Sequence, residues 1–306
     1  MDTKILLESG TNELEILEFI VGTNHYGINV AKVREILPYK FPTPIPNSHP
    51  CVEGIYMPRE AIITVIDLNK SLAVPHETNE ATDMFIVTNF NKLNVAFHVQ
   101  SVLGIHRVSW ADISKPDDSV NNSGKSVATG FLKINGRLIV ILDFEKIVSD
   151  ISPETGLRMS DIDALGERKR SDDPILIAED SPLLSKLIHD SLTKAGYTSV
   201  IVTNNGKEAY DLLCKYRDEG TVYDKVKLLV TDIEMPQMDG HHLTKLIKED
   251  PDLLDLPVVI FSSLINDEMR RKGVLLGADA QLSKPEIGSL VRVIDSIIEK
   301  KMEEKN

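Results

Sequence analysis

Leu228 to Gly240 reads LLVTDIEMPQMDG. An apolar run ends at an acid, Asp232, and Glu234, Pro236, Asp239 and Gly240 follow within eight residues. A strand covered on both faces reads as a continuous apolar run rather than as an alternation. This one carries a carboxylate out of a core to its last position, and proline and glycine then break the chain.

The surroundings repeat that pattern. PILIAED (174–180) is an apolar strand, and SPLLSKLIHDSLTKAG (181–196) is a helix with Ser181 as N-cap, proline in its first turn and Gly196 as C-cap. TSVIV (198–202), KLLVTD (227–232), PVVIFSS (257–263) and ADAQLSKPE (278–286) are further strands, a second helix covers 206–220, and a last one runs from Glu286 to about Lys301. Strands alternating with helices predict an α/β, doubly wound, five-stranded parallel sheet. Such sheets gather functional groups at the carboxyl ends of their strands. Here those ends are Glu179-Asp180, Asp232, Ser262-Ser263 and Lys284-Pro285.

Three carboxylates that close repel one another unless a cation sits among them. Few charged oxygen ligands with room for water and phosphate suit Mg²⁺, with Glu179, Asp180 and Asp232 as side-chain ligands and Glu234 lending its backbone carbonyl. Asp232 is placed as a nucleophile toward phosphorus, and Lys284 and a serine hydroxyl of the Ser262-Ser263 end as the groups that meet a transferred phosphoryl group. A calcium loop needs glycine at its sixth position, where Gln237 stands, and a phosphatase of the Asp-x-Asp kind needs an aspartate where Glu234 stands.

The first half has another texture. Tyr26, Ile28 and Val30 alternate with Gly27 and Asn29, and Ala61–Leu68, Phe85–Phe90, Leu93–Val99 and Gly136–Phe144 are β-rich runs. Asn89 to Lys92 and Ile134 to Gly136 read as hairpin turns. Short strands at close spacing predict an all-β barrel or sandwich over 12–150. Residues 151–173, with the charge run Glu167–Arg170, read as a solvated linker to a second domain over 174–302. The eight histidines show no ligand spacing, and His98 and His106 read as packed or surface residues, as Pro42, Pro44 and Pro46 read as a connecting loop.

Composition narrows the function classes. Across 306 residues the net charge is −13, which disfavours nucleic acid. Cys51 and Cys214 stand alone and fit reduced thiols in a cytoplasmic setting. The first residues lack the charged and apolar regions of a signal peptide, and no apolar run approaches the ~20 residues that span a bilayer. The short remainder after Lys284 has room for one helix and not for a DNA-binding output domain.

The second half resembles a response-regulator receiver domain on the acidic pair Glu179 and Asp180, the phosphoacceptor position Asp232, the hydroxyl position Ser262 and Lys284, and the resemblance implies a cis bond before Pro285. It departs at Gln281, where receivers carry an aromatic residue three positions before the lysine. The first half resembles the CheW-like chemotaxis coupling domain in YGINVAKVREI (26–36), PIPNSHPCVEGI (44–55), REAIITVIDL (59–68) and FHVQSVLGIHRV (97–108). Family members carry Arg-Gly and a proline in the central motif and an aspartate further on, where this chain has Arg59-Glu60, Thr64 and Gln100. That resemblance implies a double β-barrel. It further implies binding to chemoreceptor cytoplasmic tips, a CheA-type histidine kinase and other CheW-like proteins, with Val33, Glu35, Arg59 and Val99 on the contact stretches. Together the two imply a non-enzymatic, Mg²⁺-dependent phosphoacceptor scaffold at receptor arrays under the inner membrane, with no nucleic-acid partner and no membrane insertion. A phosphate sink tethered to the kinase is the alternative.

Overall fold

The structure, a computed structural model, describes residues 12–59, 61–90, 93–114, 126–152, 162, 165–166, 168, 170–284 and 286–303. The bond before Pro285, the tip Asn91-Lys92 and most of the expected linker lie outside the described residues. The chain divides into two compact units whose bodies are Leu14–Thr155 and Gly156–Asn306.

The first unit holds two five-stranded sheets. One joins β1 (Glu13–Val21), β2 (Asn24–Asn29), β8 (Ser101–Ser109), β9 (Ala128–Ile134) and β10 (Arg137–Leu142) in the order β8-β1-β2-β10-β9. The other joins β3 (Val33–Pro38), β4 (Val52–Tyr56), β5 (Ile63–Asp67), β6 (Met84–Phe90) and β7 (Leu93–Val99) in the order β3-β6-β7-β5-β4. Each sheet closes over its own small core. Leu14, Ile16, Trp110 and Ile139 fill one, and Tyr39, Ile63, Val65 and Phe85 fill the other. A third cluster draws on both sheets, with Phe19, Ile28, Phe97 and Phe144 buried together. This is the expected pair of barrels with a shared core. Helix α1 (Leu68–Ser71) follows β5, and α2 (Phe144–Ile151), capped by Asp143, brings Phe144 against Phe97 with ring centroids 4.4 Å apart and edge to face. Burying such a ring contributes about 1.5–3 kcal/mol.

Several expected boundaries shift. Val30 leaves the strand for a 3₁₀ turn because the Asn29 side chain accepts from the Ala31 N–H. Asn135 and Gly136 both take positive φ, 48° and 80°, the twist that a two-residue hairpin requires. Strands β1, β3, β4, β8 and β9 were not separately legible. In β1 four successive residues, Ile16 to Phe19, are buried, which blurs the period-2 signal.

The second unit is a parallel sheet of β11 (Ile175–Ala178), β12 (Val200–Thr203), β13 (Leu228–Thr231), β14 (Val258–Ser262) and β15 (Ala280–Ser283) in the order β12-β11-β13-β14-β15. Every residue of β11, β13 and β14 is buried. Helices α3 (Pro182–Lys194) and α8 (Ile287–Glu303) cover one face, where Ile188, Leu192, Leu290 and Ile294 meet the sheet. Helices α4 (Gly206–Asp218), α5 (Val222–Lys225) and α6 (Gly240–Glu249) cover the other with Leu213, Val222, Leu243 and Ile247. Helix α7 (Asp267–Leu275) precedes the edge strand β15. Ser181 caps α3 with proline in its first turn, and the left-handed residue after that helix is Gly196, φ 104°.

The solvated-linker reading needs correction. Helix α2 runs to Ile151, past the expected boundary at 150. Ile162 is buried in the core of the second unit and Leu165 packs against it. Arg168, inside the charge run, donates to the Ala195 carbonyl at 2.8 Å and to Asp295 at 2.5 Å. Of the described residues there, Ile162, Leu165 and Arg168 pack on or bond to the second unit.

Candidate functional site: a carboxylate rim at the strand ends

The open end of the parallel sheet is built by β11, β13 and β15. Glu179 follows β11, Asp232 follows β13 and Lys284 follows β15, and each is buried, at 2%, 8% and 3% exposure. Lys284 Nζ donates to Glu179 Oε2 at 2.7 Å and to Asp232 Oδ2 at 2.9 Å. Asp180 is half-buried, and its carboxylate oxygen lies within 4.8 Å of those of Glu179 and Asp232. The backbone fixes these positions. The Asp232 N–H donates to the Ala178 carbonyl at 3.0 Å, locking the two strand ends in register, and Asp232 Oδ1 accepts from the Ile233 N–H at 2.7 Å. The Ser181 N–H donates to Glu179 Oε1 at 3.2 Å.

Burial pushes the Glu179 carboxyl above the usual carboxylate range, and Asp232 and Asp180 push the same way against the pull of Lys284. One lysine therefore does not balance the cluster. Hard oxygen donors around an excess of negative charge fit a small divalent cation such as Mg²⁺.

Ser262 is fully buried at the end of β14. Its hydroxyl accepts from the Leu264 N–H at 3.3 Å, and its carbonyl accepts from the Lys284 N–H at 3.1 Å, which ties the serine to the lysine strand. Between Asp232 and α6 the loop buries Met235 and Met238 in the core, turns at Gln237 with φ 69°, and ends on Asp239, whose carboxylate caps α6 by accepting from the His242 N–H at 2.8 Å. Glu234 is half-buried in that loop. Gln281, on β15, donates from Nε2 to the Arg270 carbonyl of α7 at 2.8 Å, and its Oε1 is buried without a hydrogen-bond partner.

The residues marked for partner contact in the first unit divide. Arg59 is 83% exposed in its side chain and sits 3.9 Å from Glu35 on β3, so it is a surface group. Val33 is half-buried against the shared core. Val99 is wholly buried in that core and offers no surface to a partner, which corrects its expected role. Gln100 accepts from the Gly22 N–H and donates to Asn69 at 3.2 Å, so it braces the β1–β2 turn against α1.

The first unit also brings together residues that are scattered in the sequence. His98 stands between Glu53 and Asp83, and His76 reaches the same Asp83. These positions lie on β4, on β7, just before β6 and in a loop, so no spacing rule could have found them.

Comparison with known proteins agrees with both halves. The CheW-like domain model matches residues 15–152 and the response regulator receiver domain model matches residues 175–295. The solved TtCheW scaffolding protein of Thermoanaerobacter tengcongensis is 22% identical and covers 44% of this chain and 86% of its own, with a TM-score of 0.41. The chemotaxis protein CheW of Thermotoga maritima is 29% identical over 49% of this chain and 98% of its own. Chemotaxis proteins CheV1 and CheV3 of Helicobacter pylori are 27% and 30% identical and each align with 94% of this chain, over 94% and 96% of their own lengths. A coupling-type double barrel followed by a receiver sheet, matched in that order over 94% of the chain at 30% identity, places this chain in the CheV family of chemotaxis proteins.

Proposed function

We propose that the chain is an adaptor that couples chemoreceptors to a CheA-type histidine kinase and that phosphorylation at Asp232 regulates it. The single observation that carries this is Lys284, bonded at once to Glu179 and Asp232 at the rim of a receiver sheet, in a chain that also carries a CheW-like domain. The role is that of a scaffold and phosphoacceptor rather than of an enzyme with a substrate of its own. Its place is at receptor arrays, with Val33, Glu35 and Arg59 in the partner-binding region.

The chemistry follows from the donor set. An oxygen of Asp232 forms a bond to phosphorus while the bond from phosphorus to the donor's imidazole nitrogen breaks, leaving an aspartyl phosphate and a free imidazole. Glu179, Asp180, Asp232 and the Glu234 carbonyl would hold Mg²⁺, which supplies counter-charge to the phosphoryl oxygens. Lys284 is already at the Asp232 carboxylate and can follow the new charge as a point cation. The Ser262 hydroxyl, next to the lysine strand, supplies a donor to one phosphoryl oxygen.

Incubation with phosphorylated CheA-type kinase and Mg²⁺ tests this reading. Transfer to the chain that disappears in Asp232→Asn is expected, together with a changed affinity for receptor–kinase arrays. Transfer that persists in Asp232→Asn would overturn the acceptor assignment.

A second reading, a tethered phosphate sink, is favoured by one observation: Gln281 in place of the usual aromatic residue. A switch requires the two phosphorylation states to bind the array differently, and a sink does not. Equal array affinity before and after phosphorylation selects the sink.

A further inference from the structure

Asp83, at the entry to β6, is 2% exposed, and its Oδ2 accepts from the Asn79 N–H at 2.8 Å and faces two imidazoles. His76 Nε2 lies 2.9 Å from it and His98 Nε2 3.0 Å. The three donor atoms all fall within 4.8 Å of one another. The far side of the His98 ring is fixed as well, since Nδ1 lies 2.7 Å from Glu53 Oε1 while Glu53 Oε2 is buried with no hydrogen-bond partner. The Tyr39 ring packs against His98 with centroids 4.3 Å apart and planes tilted by 31°.

Two features distinguish this cluster from an ordinary buried histidine. The first is charge. Glu53 and Asp83 bring two negative charges, Asp67 beside them is paired with Lys70, and among the described residues no lysine or arginine is a hydrogen-bond or ion-pair partner of Glu53 or Asp83. Two protonated imidazoles or one divalent cation would balance them. The second is arrangement. Zinc holds imidazole nitrogen and carboxylate oxygen at about 2.0–2.2 Å, which puts neighbouring ligand atoms roughly 3.3 Å apart. The contacts of 2.9 and 3.0 Å are within a few tenths of an ångström of that spacing. A ligating histidine whose other nitrogen is held by a carboxylate is the usual outer arrangement of such sites. Two imidazoles also select against Mg²⁺ and Ca²⁺, which take hard oxygen ligands.

We propose that His76, Asp83 and His98 form a binding site in the coupling domain for a divalent transition-metal ion of the zinc class, with Glu53 orienting His98. The ion would clamp the loop that carries His76 onto β6 and β7 and leave a fourth position for water. It is independent of the carboxylate rim in the other unit and of the phosphorylation reading.

The full chain, freed of metal with a chelator, is titrated with Zn²⁺ in excess Mg²⁺ by calorimetry. The same protein is titrated with Co²⁺ while its visible absorption is followed. One equivalent is expected to bind, with the intense bands of a low-coordinate cobalt centre. His76→Ala, which removes a loop side chain whose ring partner is Asp83, is expected to weaken binding about a hundredfold or more and to leave the circular dichroism unchanged. Glu53→Gln is expected to weaken it about 10–100-fold. Thermal unfolding followed by Trp110, the single tryptophan, is expected to shift upward with Zn²⁺ in the parent and not in His76→Ala. Binding that is unchanged in His76→Ala, binding lost instead in Asp180→Asn, or no saturable binding at micromolar protein overturns the proposal.

Discussion

A β-carbon placed on Gly240 would lie 1.9 Å from the carbonyl oxygen of Asp232, so the first turn of α6 rests directly on the residue that follows β13. The oxygen is backbone and cannot rotate away. The same carbonyl accepts from the Thr231 hydroxyl at 2.8 Å. Gly240→Ala must therefore move either the helix or the acceptor carboxylate. Overpacking of this kind costs about 1–3 kcal/mol. Denaturant unfolding should show that loss, and phosphoryl acceptance by Asp232 should fall with it. An unchanged midpoint together with unchanged acceptance would show that the contact is not limiting.

Lys284 is the cation that Glu179 and Asp232 share. Lys284→Met removes it and leaves two buried carboxylates facing each other. Breaking a buried pair on one side costs about 3–5 kcal/mol. The loss should be largest without divalent cation, and excess Mg²⁺ should restore part of it, because an ion that binds only the folded state adds stability. Unfolding curves with and without Mg²⁺ decide the point. A variant as stable as the parent without Mg²⁺ contradicts the argument.

His241, in the first turn of α6, is 2% exposed and its Nε2 is buried with no hydrogen-bond partner. Burial lowers its pKa from 6.5 to about 3, with Lys272 adding to the effect. The unfolded chain takes up a proton near pH 6.5 and the folded chain does not until about pH 3. Stability from this group is thus complete above pH 6.5 and is lost as pH falls through that value, by about 1.4 kcal/mol per unit. Amide-exchange protection of β13 at pH 7.5 and 5.5 reads the effect. His241→Leu should flatten the slope, and an equal slope in both proteins would assign the acid sensitivity elsewhere.

Gln281 fills the space over Gly273 of α7, where an added β-carbon would lie 2.4 Å from Oε1. Gly273→Ala should loosen α7 from β15 by displacing the amide from the Arg270 carbonyl. Gln281→Ala should relieve that clash, so the double variant should be more stable than the sum of the single changes by at least about 0.5 kcal/mol. Strict additivity would mean that the amide and the helix are not coupled.

The receiver half was nearly complete in the sequence. Its strands β11, β13 and β14 are buried along their whole length, so each is a bare apolar run that stops at the rim, and the rim residues could be read from the stops. The barrel half was less legible because its strands face core on one side and water, or a second core, on the other. Phe144 illustrates this. It looked like the end of a strand, and it is the first residue of a helix because Asp143 accepts from the Lys146 N–H and caps it. Val99 looked like a candidate contact and is core because β7 lies in the middle of its sheet between β6 and β5.

The sequence by itself determined the two-part order and the parallel sheet, since these depend on local periodicity; it offered Glu179, Asp180 and Asp232 as rim candidates where apolar runs end, and Ser262 and Lys284 through the receiver resemblance and their separation from Asp232. Only the tertiary structure decided that Lys284 bonds both carboxylates, that Gln281 fastens α7, that Arg168 and Ile162 pack on the receiver unit, and that His76, Asp83, His98 and Glu53 meet. Those relationships join residues that are far apart along the chain, and strand pairing and core packing, which carry no short-range signature, are what bring them within bonding distance.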